Sequence, residues 1–142
     1  MIAITGYTGF VGKHLLESFS EDERPTRFLL MGRTPLPNNT IFCPFDLSST
    51  DGLFLHDSLN KVDVLIHTAA RVHSIMSDAS NDPLKEYINV NTKGTFNLAK
   101  QAAEAGVKRF VFLSSIKVNG ESTSDSGPFT AFDKREPEDP YG

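Results

Sequence analysis

The stretch Ile2-Ala3-Ile4-Thr5-Gly6-Tyr7-Thr8-Gly9-Phe10-Val11-Gly12 decides the fold. Ile2 to Thr5 is a short apolar run of the kind that forms a strand buried on both faces. Beyond it, Phe10, Val11, Leu15, Leu16 and Phe19 recur at helical spacing and give one apolar helix face. A glycine loop between a strand and a helix is where a phosphate-binding turn belongs. Gly6 permits the sharp exit from the strand, Gly9 lets backbone N–H groups approach an anion, and Gly12 lets helix and sheet pack closely. The helix N-terminus adds partial positive charge. The spacing is GxxGxxG rather than GxGxxG, and glycines used only for tight turns are the alternative reading.

Working outward, Phe28 to Met31, Val62 to Thr68 and Arg109 to Ser114 are further buried-strand runs, and Thr40 to Cys43 adds a fifth strand. Thr50 to Leu59 reads as a short helix. Pro83 to Ala105 reads as a long one, with Asp82 as N-cap, Pro83 at its first position and Gly106 as a left-handed stop. Its inward stripe is Leu84, Tyr87, Ile88, Asn91, Thr95, Leu98, Ala99 and Ala102. An amide at Asn91 in such a stripe requires hydrogen-bond partners. Alternating strands and helices with right-handed crossovers predict a doubly wound parallel sheet, order 3-2-1-4-5, with Ile4, Leu30, Ile66 and Phe112 in its buried strands. Glu121 to Pro140, rich in Ser, Asp, Glu and Pro, reads as a surface loop.

With 142 residues, 39% apolar and 23% charged, the chain suits one domain. A net charge of −4 argues against nucleic acid or an anionic membrane as partner. No apolar run reaches the roughly 20 residues of a membrane span, and no secretory leader is visible. The single cysteine, Cys43, forms no internal disulfide and reads as a small core filler. No Cys/His spacing suggests a metal site. These features predict a cytoplasmic location.

TGYTGFVG from Thr5, HTAA from His67, NTKGT from Asn91 and LSS ending at Ser115 stand in the order found in extended short-chain dehydrogenases/reductases. Across essentially its whole length the chain resembles the NAD-dependent epimerase/dehydratase family. The stretch RFVFLSSIKVNGE is similar to bacterial enzymes of polysaccharide synthesis that epimerise or reduce UDP-N-acetylhexosamines. The resemblance implies a Rossmann-type fold and NAD or NADP at Gly6, Thr8, Gly9, Phe10, Val11 and Gly12. It places Asp46 and Leu47 beside the adenine, and His67, Ala69 and Ala70 along the ribose and pyrophosphate, with His67 as a space-filling residue at a strand end the alternative. Asn91 would brace the active-site region, and Ser114 would lie on the cofactor side. Arg33 stands where NAD-preferring folds often carry an acidic residue, which suits a 2′-phosphate or stacking on adenine. Arg71 and His73 read as solvated loop residues with the alternative of a substrate phosphate contact, and Lys93 as exposed.

In the family a hydride passes between the nicotinamide and a sugar carbon, while a tyrosine moves the hydroxyl proton and a lysine assists it. A serine or threonine hydrogen-bonds the substrate oxygen. Ser115 and Tyr141 match the serine and tyrosine, with Asp139 able to cap a helix begun by Pro140. The lysine is expected four residues after Tyr141, but the chain stops at Gly142. The resemblance therefore implies an incomplete cofactor domain over residues 1–142, without the last strands or the C-terminal substrate domain, and with Tyr141 frayed. The expected function is the NAD(P)-binding part of a nucleotide-sugar epimerase, dehydratase or reductase, UDP-N-acetylhexosamine 4-epimerase-like, inactive alone and prone to homodimerise. The alternative is a non-catalytic dinucleotide-binding module or an inactive remnant.

Overall fold

The computed structural model describes residues 1–20, 27–37, 41–49, 54–72, 82–123 and 127–142. Five strands form one parallel sheet: β1 (Ile2–Thr5), β2 (Phe28–Gly32), β3 (Phe42–Pro44), β4 (Val64–His67) and β5 (Arg109–Phe112). Their order is β3-β2-β1-β4-β5, as expected. Helix α1 (Phe10–Ser20) follows β1, and α2 (His56–Leu59) precedes β4. Between β4 and β5 run α3 (Pro83–Tyr87), a π-helical segment (Ile88–Gly94) and α4 (Thr95–Glu104). Among the described residues no helix is long and apolar enough to cross a membrane.

The apolar runs make this sheet because both its faces are covered. Ile4 pairs with Leu30 on one side and Ile66 on the other. These three, with Tyr7, face a cluster completed by Leu15, Leu16 and Phe19 of α1. Side chains alternate along a strand, so Ala3, Leu29, Met31 and Leu65 face the opposite way, onto Leu55, Leu59, Leu98 and Ala102. Each fully buried Leu, Ile or Met side chain here contributes roughly 1.5–3 kcal/mol. The helix after β1 thus covers one face and the helix after β4 the other. The crevice at the carboxyl ends of β1 and β4 is therefore the switch point of the sheet, the usual ligand position in this architecture.

Several expectations are corrected. The strands after the second are shorter than the apolar runs, and β3 lies at Phe42–Pro44 rather than from residue 40, which is outside the described residues. The short helix begins only at His56; residues 50–53 are not described, and Phe54 is exposed. Phe112 is 54% exposed rather than buried, because β5 is the sheet's edge and no described element packs across its outer part. Phe10 and Val11 are exposed at the start of α1, so only its later turns carry the buried face.

The long helix is the largest departure. Asp82 caps it, accepting from the Lys85 amide at 3.1 Å, and Gly106 closes it at φ 85°. In between, the seven-residue π segment breaks the α-helical phase. A single period put Leu84 and Ile88 inward with Leu98 and Ala102. The wider turn separates them: Leu98 and Ala102 are buried, Leu84 and Ile88 exposed.

Gly94 ends that segment, buried against the chain after β3. A Cβ there would lie 2.3 Å from the Leu47 carbonyl oxygen. Gly→Ala in a helix ordinarily stabilises by up to ~1 kcal/mol. Here the backbone contact reverses the sign, and Gly94→Ala should destabilise by about 1–3 kcal/mol. Urea denaturation checks this; an unchanged or raised midpoint would show that the two segments can separate freely.

Candidate functional site

In a parallel sheet every strand exits at the same edge. That places Gly6 to Gly12, Arg33, Asp46, Ala69 and Ser115, from five different strand exits, along one rim. The glycine loop divides its tasks among three residues. Gly6 has φ 70°, and a Cβ on it would lie 2.5 Å from the Ala69 nitrogen, so the exits of β1 and β4 touch there. A Cβ on Gly12 would fall 2.3 Å from the Gly6 carbonyl oxygen, so α1 closes on the loop. Gly9 differs: its Cβ would meet only that same oxygen, at 3.3 Å, and otherwise open space. The Gly9 amide donates to Gly6 O at 2.9 Å, and the Lys13 amide donates to Gly9 O at 2.9 Å. Thr8, Gly9, Phe10 and Val11 are exposed around it. The first amides of α1 have no acceptor within the helix. A shallow cradle of donors, with the positive end of a helix behind it, suits a pyrophosphate.

Tyr7 anchors the neighbouring exit. Its buried ring lies against Gly32, where a Cβ would come within 2.9 Å of the ring, and its hydroxyl donates to the Thr34 carbonyl. Burial raises the Tyr7 pKa. Arg33 is carried between those two contact points and is exposed. Asp46, after β3, accepts at one oxygen from the Ser48 amide at 2.9 Å and the Ser48 hydroxyl at 2.7 Å. These bonds, with a smaller contribution from the Arg33 charge, lower its pKa. Arg33 and Asp46 thus share one corner of the rim. Leu47 points away from that corner: it is 7% exposed and packs in the core against Gly94.

His67 does not reach the crevice surface. It is fully buried at the end of β4, between the rings of Phe110 and Phe112, each 5.9 Å away. Its Nδ1 lies 2.6 Å from Thr5 Oγ1 and its Nε2 2.9 Å from Thr95 Oγ1. Thr5 Oγ1 also accepts from the Ala69 amide at 3.3 Å, while the Thr68 hydroxyl donates to Thr5 O at 2.7 Å. A neutral imidazole accepts at one ring nitrogen and donates from the other, and either hydroxyl can take either part, so the ring is bonded at both nitrogens in either tautomer. His67 is thus a neutral clamp joining β1, β4 and α4. Beside it, Asn91 accepts from the Arg71 amide at 2.7 Å and donates to the Arg71 carbonyl at 2.9 Å. The expected partners of this amide are therefore a single stretch of backbone, which it holds in front of the crevice. Ala69 is half-buried and Ala70 exposed on that stretch; His73 lies outside the described residues. Lys93 is exposed and donates to Asn89 Oδ1 at 3.1 Å.

Ser114 is exposed and Ser115 half-buried after β5. Ser115 Oγ accepts from the Lys117 amide at 3.3 Å and caps a 3₁₀ turn, Ile116–Val118. Tyr141 is held rather than frayed: it is half-buried, and its ring lies 6.0 Å from that of Tyr87. Asp139 Oδ1 accepts from the Tyr141 and Gly142 amides at 2.9 and 2.8 Å, a helix-cap arrangement. Thr5, Tyr7, Thr68, Thr95 and Lys117 were not foreseen. Their partners are distant in sequence, and isolated hydroxyls or a lysine carry no local signal.

The family model described as "NAD dependent epimerase/dehydratase family" matches residues 2–142. The UDP-glucose 4-epimerase of Vibrio cholerae is 42% identical over 142 residues, covering 99% of this chain and 42% of its own length. Among solved structures, MoeE5 in complex with UDP-glucose and NAD superposes with a TM-score of 0.77 at 30% identity, covering 99% of this chain and 44% of that one. The UDP-N-acetylglucosamine 4-epimerase of Bacillus cereus gives 0.72 at 26% identity, covering 99% and 49%. The chain spans less than half the length of each of these proteins.

The buried clamp has an acid signature. Burial lowers the His67 pKa to about 4, against ~6.5 in an unfolded chain. As pH falls below ~6.5 the unfolded state takes up a proton that the folded state refuses, so stability present above ~6.5 is lost progressively toward ~4. Between about pH 7 and pH 5 this amounts to about 2 kcal/mol. His67→Gln keeps a donor and an acceptor but does not titrate, so its urea midpoint should fall less over that interval. Parallel losses in the two proteins would refute the assignment.

Proposed function

Because the chain belongs to the NAD dependent epimerase/dehydratase family, we propose that it is the dinucleotide-binding part of a UDP-sugar 4-epimerase. The observation that carries this reading is the open cradle at Gly9, at the switch point between β1 and β4. The residues fit a dinucleotide. The backbone amides of Phe10 and Val11 would hold the pyrophosphate, with Gly9 giving it room to approach and Gly6, Thr8 and Gly12 shaping the loop around them; the Gly9 amide itself is taken by Gly6 O. Asp46 stands ready to accept from the adenine amino group, with Leu47 packed behind it. Ala69 and Ala70 offer small side chains where the dinucleotide would lie against backbone, and Asn91 and His67 hold that backbone in place. When bound, the nicotinamide supplies a hydride acceptor. The protein's own share is to orient the sugar and move a proton: Ser115 would hydrogen-bond the reacting oxygen, Tyr141 would take its proton, and Ser114 would stand on the cofactor side.

The UDP-sugar assignment draws on what the relatives are named for: a UDP-glucose 4-epimerase, a UDP-N-acetylglucosamine 4-epimerase and a protein complexed with UDP-glucose. Glucose and N-acetylglucosamine differ at C2, which leaves the proposed roles of Ser115 and Tyr141 unchanged. The N-acetylhexosamine reading rests on RFVFLSSIKVNGE, and competition between UDP-N-acetylglucosamine and UDP-glucose in the complete enzyme decides it.

NAD titration by calorimetry tests the central claim. Gly9→Val should weaken binding at least ~10-fold, since a branched side chain occupies the approach to the amides. Its melting temperature should fall only slightly, because a Cβ there would press on Gly6 O alone, at 3.3 Å. Equal NAD affinity in the two proteins would exclude the loop as the pyrophosphate site.

Arg33 sets the second test. It shares its corner with Asp46, so its guanidinium can meet a ribose 2′-phosphate. Arg33→Ala should lower NADP affinity about 10-fold while changing NAD affinity much less. An unchanged NADP-to-NAD ratio would mean that Arg33 does not read the phosphate.

A further inference from the structure

We propose that Lys117 is a positioning residue: its ammonium fixes the Asp139–Gly142 turn, and with it Tyr141, against the turn that carries Ser115. The inference rests on the reading above, in which Tyr141 moves the proton.

The Lys117 Nζ lies 2.7 Å from Asp139 Oδ2 and 2.8 Å from Glu121 Oε1. An isolated exposed ion pair holds little in place. This one is different in three respects. The Lys117 and Asp139 side chains are only 25% and 29% exposed, so solvent competes poorly for them. Asp139 uses its other oxygen for the amides of Tyr141 and Gly142, so fixing the carboxylate fixes the backbone on both sides of the tyrosine's Cα. The backbones also meet directly: a Cβ on Gly142 would lie 2.7 Å from the Lys117 carbonyl oxygen, and the Glu136 amide donates to Val118 O at 2.9 Å. At its near end Lys117 gives its amide to Ser115 Oγ. A continuous path runs from the Ser115 hydroxyl through Lys117 and Asp139 to Tyr141, and among the described residues between Val118 and Asp139 no strand or helix brings the two together.

Other uses of Lys117 fit less well. Its ammonium faces two carboxylates, so an incoming phosphate would have to displace one of them. Glu121 lies on the same side as Ser115, four residues along from Lys117. It orients the ammonium from its own segment, while Asp139 is the partner that crosses to the other.

Tyr141 can be followed without turnover. With ring-labelled tyrosine, nuclear Overhauser contacts between Tyr141 and Tyr87 report whether the turn is held, since the two rings are 6.0 Å apart. Lys117→Met should abolish these contacts and move the Tyr141 signals toward random-coil positions, with Tyr7 signals unchanged. Lys117→Arg should restore them. Asp139→Asn keeps an oxygen for the two amides but removes the charge, so it should weaken the contacts with no deletion of the cap. Full Tyr141–Tyr87 contacts in both Lys117→Met and Asp139→Asn would overturn the proposal. If Lys117→Met also disturbs Tyr7, Asp139→Asn alone decides, with the same two readings. NAD binding is measured in parallel. Failure of the wild-type protein to bind NAD removes the proposed function, whereas persistence of the ring contacts removes only the role of Lys117.

Discussion

The contact between the ends of β1 and β4 is the constraint on which the site depends. Gly6 has no room for a side chain because the Ala69 nitrogen and the Thr68 carbonyl carbon stand where it would go. This closeness is what makes a crevice at the switch point rather than a gap. It is also costly, since it brings backbone polar groups together out of water. The Thr68 hydroxyl satisfies the Thr5 carbonyl and the Thr5 hydroxyl satisfies the Ala69 amide, while the imidazole of His67 bonds the Thr5 hydroxyl in turn. An imidazole is well suited because one nitrogen accepts while the other donates, so a single neutral ring bonds both the Thr5 and the Thr95 hydroxyl.

The opposite edge of the sheet is held by different means. There Asp63 receives Lys108 Nζ at 2.6 Å and the Met1 ammonium at 2.8 Å, and its carbonyl accepts from the amides of Lys108 and Arg109. Those partners hold the Asp63 carboxyl down to about 2. Charge is tolerable at that solvent-exposed edge, where the starts of β1, β4 and β5 converge. At the site edge, fixed charges close to the crevice would bias what binds there, and buried ones would require desolvation. The groups beneath the glycine loop are accordingly neutral, while Arg33, Asp46 and Lys117 stand farther out along the rim.

Sequence revealed the parts whose signal is local. The glycine loop, the four apolar strand runs, Asp82 as a cap and Gly106 as a stop are each legible within a few residues, and the sheet order follows from their alternation. The candidate residues Ser115 and Tyr141 came from a motif, not from chemistry visible in the chain. What stayed hidden depends on distance. Tyr7 beneath Gly32, Thr95 beside His67 and Lys117 beside Asp139 are pairs separated by long stretches, and nothing in the local composition marks one member for the other. His67 shows what a motif leaves open. The motif puts it in the segment that passes a ribose and its place at a strand end reads as space-filling; burial and two hydroxyl partners show it as a support within that segment.

The π segment explains why the long helix was misread and why Asn91 nevertheless was not. A constant period assigns every inward position from one end to the other, so an error in phase propagates along the whole helix. Asn91 escapes because its argument never depended on phase: an amide in an otherwise apolar stripe needs partners whichever way the stripe turns. The i to i+5 pattern spans the residues from Ile88 to Gly94, with Asn91 at its centre. Downstream, the buried face formed by Leu98 and Ala102 lies on the sheet, while Gly94 lets the helix approach the chain after β3. Upstream, Asn91 grips the backbone of Arg71. A regular helix in phase with Leu98 throughout would turn position 91 by a different amount relative to the sheet. The irregular turn therefore lets one helix do two things: its later half packs against the core, and its middle braces the crevice.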